Sequence, residues 1–187
     1  MHIRVDIAGE TELQPFLESS EKLEAEDLER YFRAILEAEA LSSLLEAPMA
    51  EVSVTFLDHV EMASLNRQYR GKEGSTDILS FPQWDFQNPE DLPFSSEAGW
   101  ESVPLGDLVI SPREVACNAQ EENHPFYQEL LLVLTHGFLH LLGYDHGDAD
   151  TEARMFALQE RYCVDFFEKY HDTNRSCEKE QGDVMRA

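Results

Sequence analysis

Strict alternation of apolar and polar residues predicts the strands of this chain. HIRVDIA, residues 2–8, alternates with a period of two, and EVSVTFLD, residues 51–58, does the same with β-branched residues. STDILSFP, residues 75–82, is stopped as a strand by its proline, and GDLVIS, residues 106–111, has the apolar content of a buried strand. We therefore predict four strands.

Apolar residues at helical spacing predict five helices. The helix at residues 112–122 has a serine in front of it, suited to capping, and a proline at its first position. The helix at residues 125–142 is apolar nearly all round and is ended by a glycine, so we expect it to be central and buried. The other three span Ala25 to about Ala47, residues 59–70, and about Asp150 to Tyr170.

The remaining segments are predicted connections. Residues 9–24 are acidic and irregular, and residues 83–104 combine prolines, acids and four aromatics without any period. A connection as long as the second is often functional or disordered. The length of 187 residues suits one domain, which we place at residues 1–171, followed by a polar tail at residues 172–187.

The net charge of −24 opposes nonspecific nucleic-acid binding, which depends on Lys and Arg neutralising phosphates. An RNA substrate would therefore require a local basic patch. No apolar run is long enough to cross a bilayer, and the N-terminus lacks the pattern of a signal peptide. Three scattered cysteines do not suggest a disulfide framework. We expect a cytoplasmic protein without membrane association.

Three histidines carry the candidate chemistry, within the stretch HGFLHLLGYDH. His136 and His140 are four residues apart and share one helix face, while Gly143 permits a turn that returns His146 toward them. Three neutral imidazoles with one position left to water are typical of a catalytic Zn²⁺ site. The alternative is coincidence, since two histidines at this spacing are common on helices.

The reaction is not that of the helical metalloproteases. Their motif, H-E-x-x-H, has a glutamate as general base directly after the first histidine. Gly137 occupies that position in this chain. A metal site here would therefore indicate another reaction, although a different metallohydrolase, such as a peptidase, remains an alternative.

The histidine stretch closely resembles the signature of the YbeY family of bacterial endoribonucleases, also described as rRNA maturation factors. LNRQYRGKEGSTDILSFP, residues 65–82, and LGDLVIS, residues 105–111, resemble two further family segments in the same order and spacing. The resemblance covers roughly residues 50–165.

This resemblance implies a single α/β (α+β) domain with a small, mixed, mostly parallel sheet flanked by helices. It implies one metal ion, Zn²⁺, on His136, His140 and His146. It also implies hydrolysis of single-stranded RNA, in 3′-end maturation of small-subunit rRNA and in ribosome quality control, with the ribosomal small subunit and assembly factors as partners. The family's functionally important arginine falls on Arg70.

Phosphodiester hydrolysis gives these residues roles. His136 and Arg70 are the predicted catalytic residues, since a guanidinium matches phosphate oxygens with two parallel hydrogen bonds. Arg67 and Lys72 make the surroundings of Arg70 basic and are predicted to bind substrate. Asp145 either orients a ligand histidine from behind or forms a turn. The nucleophile is either a metal-activated water or the RNA 2′-hydroxyl. A non-catalytic, metal-stabilised ribosome-assembly factor remains an alternative function.

Overall fold

The computed structural model describes residues 2–18, 21–39, 49–84, 101–144, 151 and 153–164. Four strands lie in the order β1 (His2–Ala8), β2 (Met49–Phe56), β3 (Ile78–Pro82) and β4 (Val103–Ile110) along the chain. The helices are α1 (Glu10–Leu13), the 3₁₀ turn Gln14–Phe16, α2 (Ala25–Ala38), α3 (His59–Arg70), α4 (Pro112–Glu122) and α5 (Phe126–Leu141). Residues 153–164 form a last helix, α6.

The strands form one sheet in the order β1-β2-β4-β3. β1 pairs with β2 in parallel, β2 pairs with β4 in parallel, and β3 runs antiparallel to β4 at the edge of the sheet. The expected fold class, a mixed and mostly parallel sheet with helices, is confirmed. No described helix combines the length and the apolar character that a membrane span requires.

Helix α5 lies at the centre, as its apolar composition predicts. Its residues Leu130, Leu134 and Phe138 are fully buried. Phe138 stacks on Phe32 of α2 with ring centroids 4.1 Å apart, so α2 and α5 share one layer against the sheet. The burial of aromatic rings in offset stacks is a large stabilising contribution, and here it fixes the position of α5.

Capping explains where α3 begins and ends. The Asp58 carboxylate accepts hydrogen bonds from the backbone N–H groups of Val60 and Glu61, at 2.8 and 2.9 Å. These bonds lower the pKa of Asp58. At the other end, Gly71 has a φ of 65°, a left-handed conformation in which its N–H reaches the carbonyl of Arg67. The bounds of α3 are those that the apolar spacing predicts.

Three local predictions were wrong. Residues 9–24 are not wholly irregular, because α1 forms there and buries Leu13, yet four residues are too few to show a period. β4 begins at Val103, so the predicted connection 83–104 overlaps a strand that pairs with Ala50. Ser111 stands at the start of α4 but makes no capping bond with its side chain.

Helix α2 also ends earlier than predicted. Its last helical residue is Ala38, and Glu39 forms a turn whose N–H bonds back to the carbonyl of Ile35. Residues 40–47 of the predicted helix lie outside the described residues, as does the tail at 172–187.

Candidate active site

Helix α5 brings His136 and His140 together. Their ring centroids are 4.7 Å apart with an interplanar angle of 83°, and both side chains are partly buried. Two imidazoles on one tetrahedral zinc ion have bound nitrogens about 3.4 Å apart, which rings at this spacing can satisfy. The prediction that the two histidines share one face is confirmed. We call them the imidazole pair.

Gln159 of α6 holds one ring of the pair. Its carboxamide oxygen lies 3.2 Å from Nδ1 of His136. A carboxamide oxygen only accepts, so this contact is a hydrogen bond in the tautomer that carries its proton on Nδ1 and leaves Nε2 as the basic nitrogen. A hydrogen bond from the second ring nitrogen is the usual support of a histidine that binds a metal.

Gly137, which lies between the two histidines in the sequence, is packed closely against the sheet. A Cβ built at this position would lie 2.4 Å from Cδ1 of Ile78 and 2.9 Å from Cδ2 of Leu108. Position 137 therefore faces the sheet rather than the imidazole pair, and a side chain there would have to displace the tips of Ile78 and Leu108. A general base at this position would point away from the imidazole pair, which adds a geometric argument against the peptidase alternative.

Behind the pair, the chain leaves α5 through a turn that α2 and α6 hold in place. Gly143 has a φ of 84°, and Tyr144 follows with its N–H bonded to the carbonyl of Leu139. The hydroxyl of Tyr144 donates to the carboxylate of Glu39 at 2.9 Å, and the hydroxyl of Tyr162 donates to the same carboxylate. We call Glu39, Tyr144 and Tyr162 the tyrosine clamp.

The clamp is well buried. Tyr144 and Tyr162 are 7% and 5% exposed, and burial together with the Glu39 carboxylate raises the pKa of both phenols. Both phenols therefore remain hydrogen-bond donors throughout the neutral pH range. Guanidinium groups of Arg154 and Arg161 lie over the two tyrosine rings, at 5.4 and 5.5 Å from the ring centroids.

The predicted third ligand, His146, and its neighbour Asp145 lie outside the described residues. Within the residues that the structure describes, no group of three or more His, Cys, Asp and Glu side chains is placed to hold a metal ion. The described part of the site is the imidazole pair, oriented by Gln159 and followed by a clamped turn. This donor set fits a zinc ion that takes its further ligands from elsewhere.

The predicted basic residues lie together at the end of α3. Arg67 and Arg70 are in its last turn and Lys72 follows its cap, and all three side chains are exposed. We call these three residues the basic patch. No described contact joins the basic patch directly to the imidazole pair.

The basic patch differs from the other cations of the described chain. None of its three residues forms an ion pair with another described residue, whereas the other described arginines all have partners. Those partners are carboxylates for Arg4, Arg30 and Arg33, an imidazole for Arg113, and tyrosine rings for Arg154 and Arg161. Within the described chain, therefore, no ion pair competes with an anion from outside for these three side chains.

Strand β3 lies between α3, which carries Arg67 and Arg70 of the basic patch, and α5, which carries the imidazole pair. On one side, Phe81 contacts Tyr69 of α3 edge to face, with ring centroids 4.9 Å apart. On the other, the Oγ of Ser80 lies close to the position that a Cβ on Gly137 would occupy, at 3.1 Å. Adjacent strand residues point to opposite faces, so β3 is contacted by α3 and α5 at neighbouring positions.

The loop between α3 and β3 is held by a chain of polar contacts. Asp77 accepts hydrogen bonds from the N–H of Ile78 at 2.8 Å and from Nδ2 of Asn118 at 3.2 Å. Asn118 also bonds Glu129 of α5, which pairs with His124 at 3.2 Å. Burial raises the pKa of the Glu129 carboxyl, although His124 and Asn118 oppose the shift. Asp77 thus organises the start of β3, linking it to α4 and α5.

Sequence reasoning missed Gln159 and Glu39. Both act on the α5 region from helices distant in the chain, and neither belongs to a recognisable motif. The only available signal was amphipathic spacing, which could not show which polar residue of α2 or α6 faces α5.

Comparison with known proteins agrees with this architecture. Residues 16–166 match the family model described as Endoribonuclease YbeY. The chain is 42% identical over 146 residues to a protein named Endoribonuclease YbeY from Geobacillus kaustophilus, covering 78% of this chain and 90% of that one. A protein of the same name from Mycobacterium leprae is 45% identical over 114 residues, covering 61% of this chain and 62% of that one.

A solved structure has the same fold. The solution structure of TM1509 from Thermotoga maritima matches with a TM-score of 0.52 and 27% sequence identity. The match covers 90% of this chain and 93% of the other.

Proposed function

This chain belongs to the Endoribonuclease YbeY family, and from that premise we propose that it is a zinc-dependent endoribonuclease that cleaves single-stranded RNA. The proposed ligands of a single Zn²⁺ are His136, His140 and His146, with water in the remaining position. The proposed substrate is rRNA of the small ribosomal subunit, cut near its 3′ end.

The observation that carries the proposal is the imidazole pair with the Nδ1 of His136 held by Gln159. An oriented ring, with the second ring 4.7 Å away, is already arranged for a common ion. When bound, the ion would supply either an activated water or polarisation of a phosphoryl oxygen.

Arg70 is proposed to bind the phosphate that is cleaved. Its exposed guanidinium has no carboxylate partner within the described chain, so two of its N–H groups can donate to one phosphate. Such donors stabilise the additional negative charge that develops on the phosphoryl oxygens during the reaction. Arg67 and Lys72 are proposed to bind neighbouring phosphates of the strand.

The overall charge of −24 favours RNA that is presented by a larger particle. An acidic surface repels free RNA, and the basic patch is too small to overcome that repulsion over a long strand. We therefore propose that the small subunit and its assembly factors are the partners, and that the protein acts in the cytoplasm. We also propose that Asp145 supports a ligand histidine.

Purified protein tests this proposal by metal analysis and RNA cleavage together. We expect about one zinc ion per chain and cleavage of a single-stranded RNA that a chelator stops and added zinc restores. His140→Ala should lose both zinc and cleavage, while Arg70→Ala should keep zinc and lose cleavage. His59→Ala, an exposed histidine on α3 that contacts Arg113, is the matched control and should behave as the wild type.

Other outcomes would contradict the proposal. Cleavage retained in both His140→Ala and Arg70→Ala would identify a contaminating nuclease. Zinc binding without RNA cleavage would favour a non-catalytic assembly factor. Degradation of casein by the same preparation would favour a peptidase, although position 137 faces the sheet and its glycine supplies no general base.

A further inference from the structure

Tyr69 is an exposed aromatic residue next to the basic patch. It lies in the last turn of α3 between Arg67 and Arg70, and 58% of its surface is exposed. The inner face of α3 is buried at Met62 and Asn66, and Tyr69 continues that face beyond the point where the core covers it. A large aromatic ring is therefore left exposed next to cations that form no ion pair with any described residue.

The ring of Tyr69 is not free to adopt any orientation. Phe81 of β3 contacts it edge to face with ring centroids 4.9 Å apart, a favoured geometry for aromatic pairs. Since β3 also contacts α5 at Gly137, the strand that supports Tyr69 is the strand on which the imidazole pair's helix rests. An exposed ring with a fixed orientation loses little entropy when a ligand stacks on it.

We propose that Tyr69 stacks on an unpaired base of the RNA while the basic patch binds the flanking phosphates. This inference rests on the proposed function and adds the residue that selects single strands. Cations that follow the backbone, together with an aromatic ring that accepts a base, are the combination by which proteins bind single strands without reading sequence. A duplex keeps its bases stacked inside and offers none to Tyr69.

Binding to non-cleavable RNA tests the inference apart from catalysis. The zinc-loaded protein is titrated against a 2′-O-methyl single strand, which cannot be cleaved by 2′-hydroxyl attack, against the same strand with abasic positions, and against a blunt-ended duplex of two 2′-O-methyl strands, with gels that exclude cleavage by water. We expect Tyr69→Leu to weaken single-strand binding about tenfold, and Tyr69→Phe, which keeps the ring, to change it less than about twofold. Duplex binding should be unchanged in both variants.

The comparison with abasic RNA identifies stacking. Wild-type protein should prefer the strand with bases, and Tyr69→Leu should bind both strands equally. Phe156→Leu is the matched control, because Phe156 is 52% exposed on α6 and should have no effect. Equal single-strand binding by Tyr69→Leu and the wild type would overturn the inference. Failure of the wild type to bind or cleave any RNA would instead contradict the proposed function.

Discussion

The imidazole pair and the basic patch differ in how firmly the molecule holds them. The pair is supported by α6, by the end of α2 and by the sheet: Gln159 bonds one ring, Gly137 packs α5 against β3, and the tyrosine clamp fixes the turn that follows. The basic patch is exposed and without ion pairs in the described chain. We infer from this difference that the fold positions the two imidazoles of the proposed metal site before an ion binds, whereas the side chains of the basic patch would be ordered by a bound substrate.

This comparison makes opposite predictions for the two regions. Substitutions around the imidazole pair should change stability or zinc affinity, and substitutions in the basic patch should change RNA binding alone. The predictions below follow in order of decreasing expected effect.

The largest effect is expected at the tyrosine clamp. Glu39→Ala leaves two buried phenol groups without their charged acceptor, which should lower the free energy of unfolding by about 3 kcal/mol. Zinc affinity should also fall, because Tyr144 lies two residues before His146. Urea unfolding and competition with a chromophoric chelator measure the two quantities.

A matched substitution within α2 serves as the control for Glu39→Ala. Glu29 accepts a hydrogen bond from the N–H of Val5 at 3.1 Å, away from the imidazole pair. Glu29→Ala should destabilise the protein by about 1 kcal/mol and leave zinc affinity unchanged. Equal loss of zinc affinity in both variants would show that the clamp has only a general structural role.

Removing the support of His136 is expected to act on the metal alone. Gln159→Leu should reduce zinc affinity by about 10- to 100-fold, while the stability of the zinc-free protein changes by less than about 0.5 kcal/mol. Gln159→Glu keeps an acceptor for the Nδ1 proton and should retain the affinity. Unchanged affinity in Gln159→Leu would mean that the contact at 3.2 Å does not orient the ligand.

A methyl group at Gly137 tests the packing of α5. Gly137→Ala should lower the free energy of unfolding by about 1–2 kcal/mol, because overpacking against Ile78 and Leu108 exceeds the gain in helix propensity. Chemical denaturation measures this change. A stabilised variant would show that the contact with the sheet is looser than described.

Substitutions in the basic patch should leave the free energy of unfolding unchanged. Arg70→Ala and Lys72→Ala should each reduce the slope of log RNA affinity against log salt concentration by about one, with unaltered unfolding. A total slope much above three would require cations outside the patch. Destabilisation of either variant would contradict the statement that these side chains lack partners in the described chain.

The smallest effect is expected at Glu129, one of the polar residues that link the start of β3 to α4 and α5. The folded-state pKa of Glu129 is raised above its unfolded value, so this group favours folding most below the unfolded pKa. That contribution is lost as the pH rises through the folded pKa. The free energy of unfolding of the wild type, relative to that of Glu129→Gln, should therefore fall as the pH rises above about 4.5. A flat difference between pH 4 and pH 8 would contradict the raised pKa.

The strands, the central helix and the pairing of His136 with His140 could be predicted from sequence because each depends on local periodicity. Alternation needs only neighbouring residues, and histidines four apart on a helix share a face whatever surrounds it. Boundaries such as the end of α2 at Ala38 were less accessible, because apolar spacing continues past it.

What supports the site could not be predicted, because it is tertiary. Gln159 reaches His136 from α6, and Glu39 meets Tyr144 and Tyr162 from more than 100 residues away. Nor could sequence show that Arg70 forms no ion pair with the acidic residues that the structure describes, in a chain with 38 acidic residues in all. Pairing between side chains depends on how the helices pack.

The register of β3 against β4 has a consequence for the chain between them. Gln83 donates its N–H to the carbonyl of Leu105 at 2.9 Å, and the indole N–H of Trp84 donates to the carbonyl of Pro104 at 2.6 Å. Both ends of the connection are thus anchored, independently of what it contains. A change of length between Trp84 and Glu101 would therefore leave both anchoring contacts, and with them the register of β3 against β4, in place.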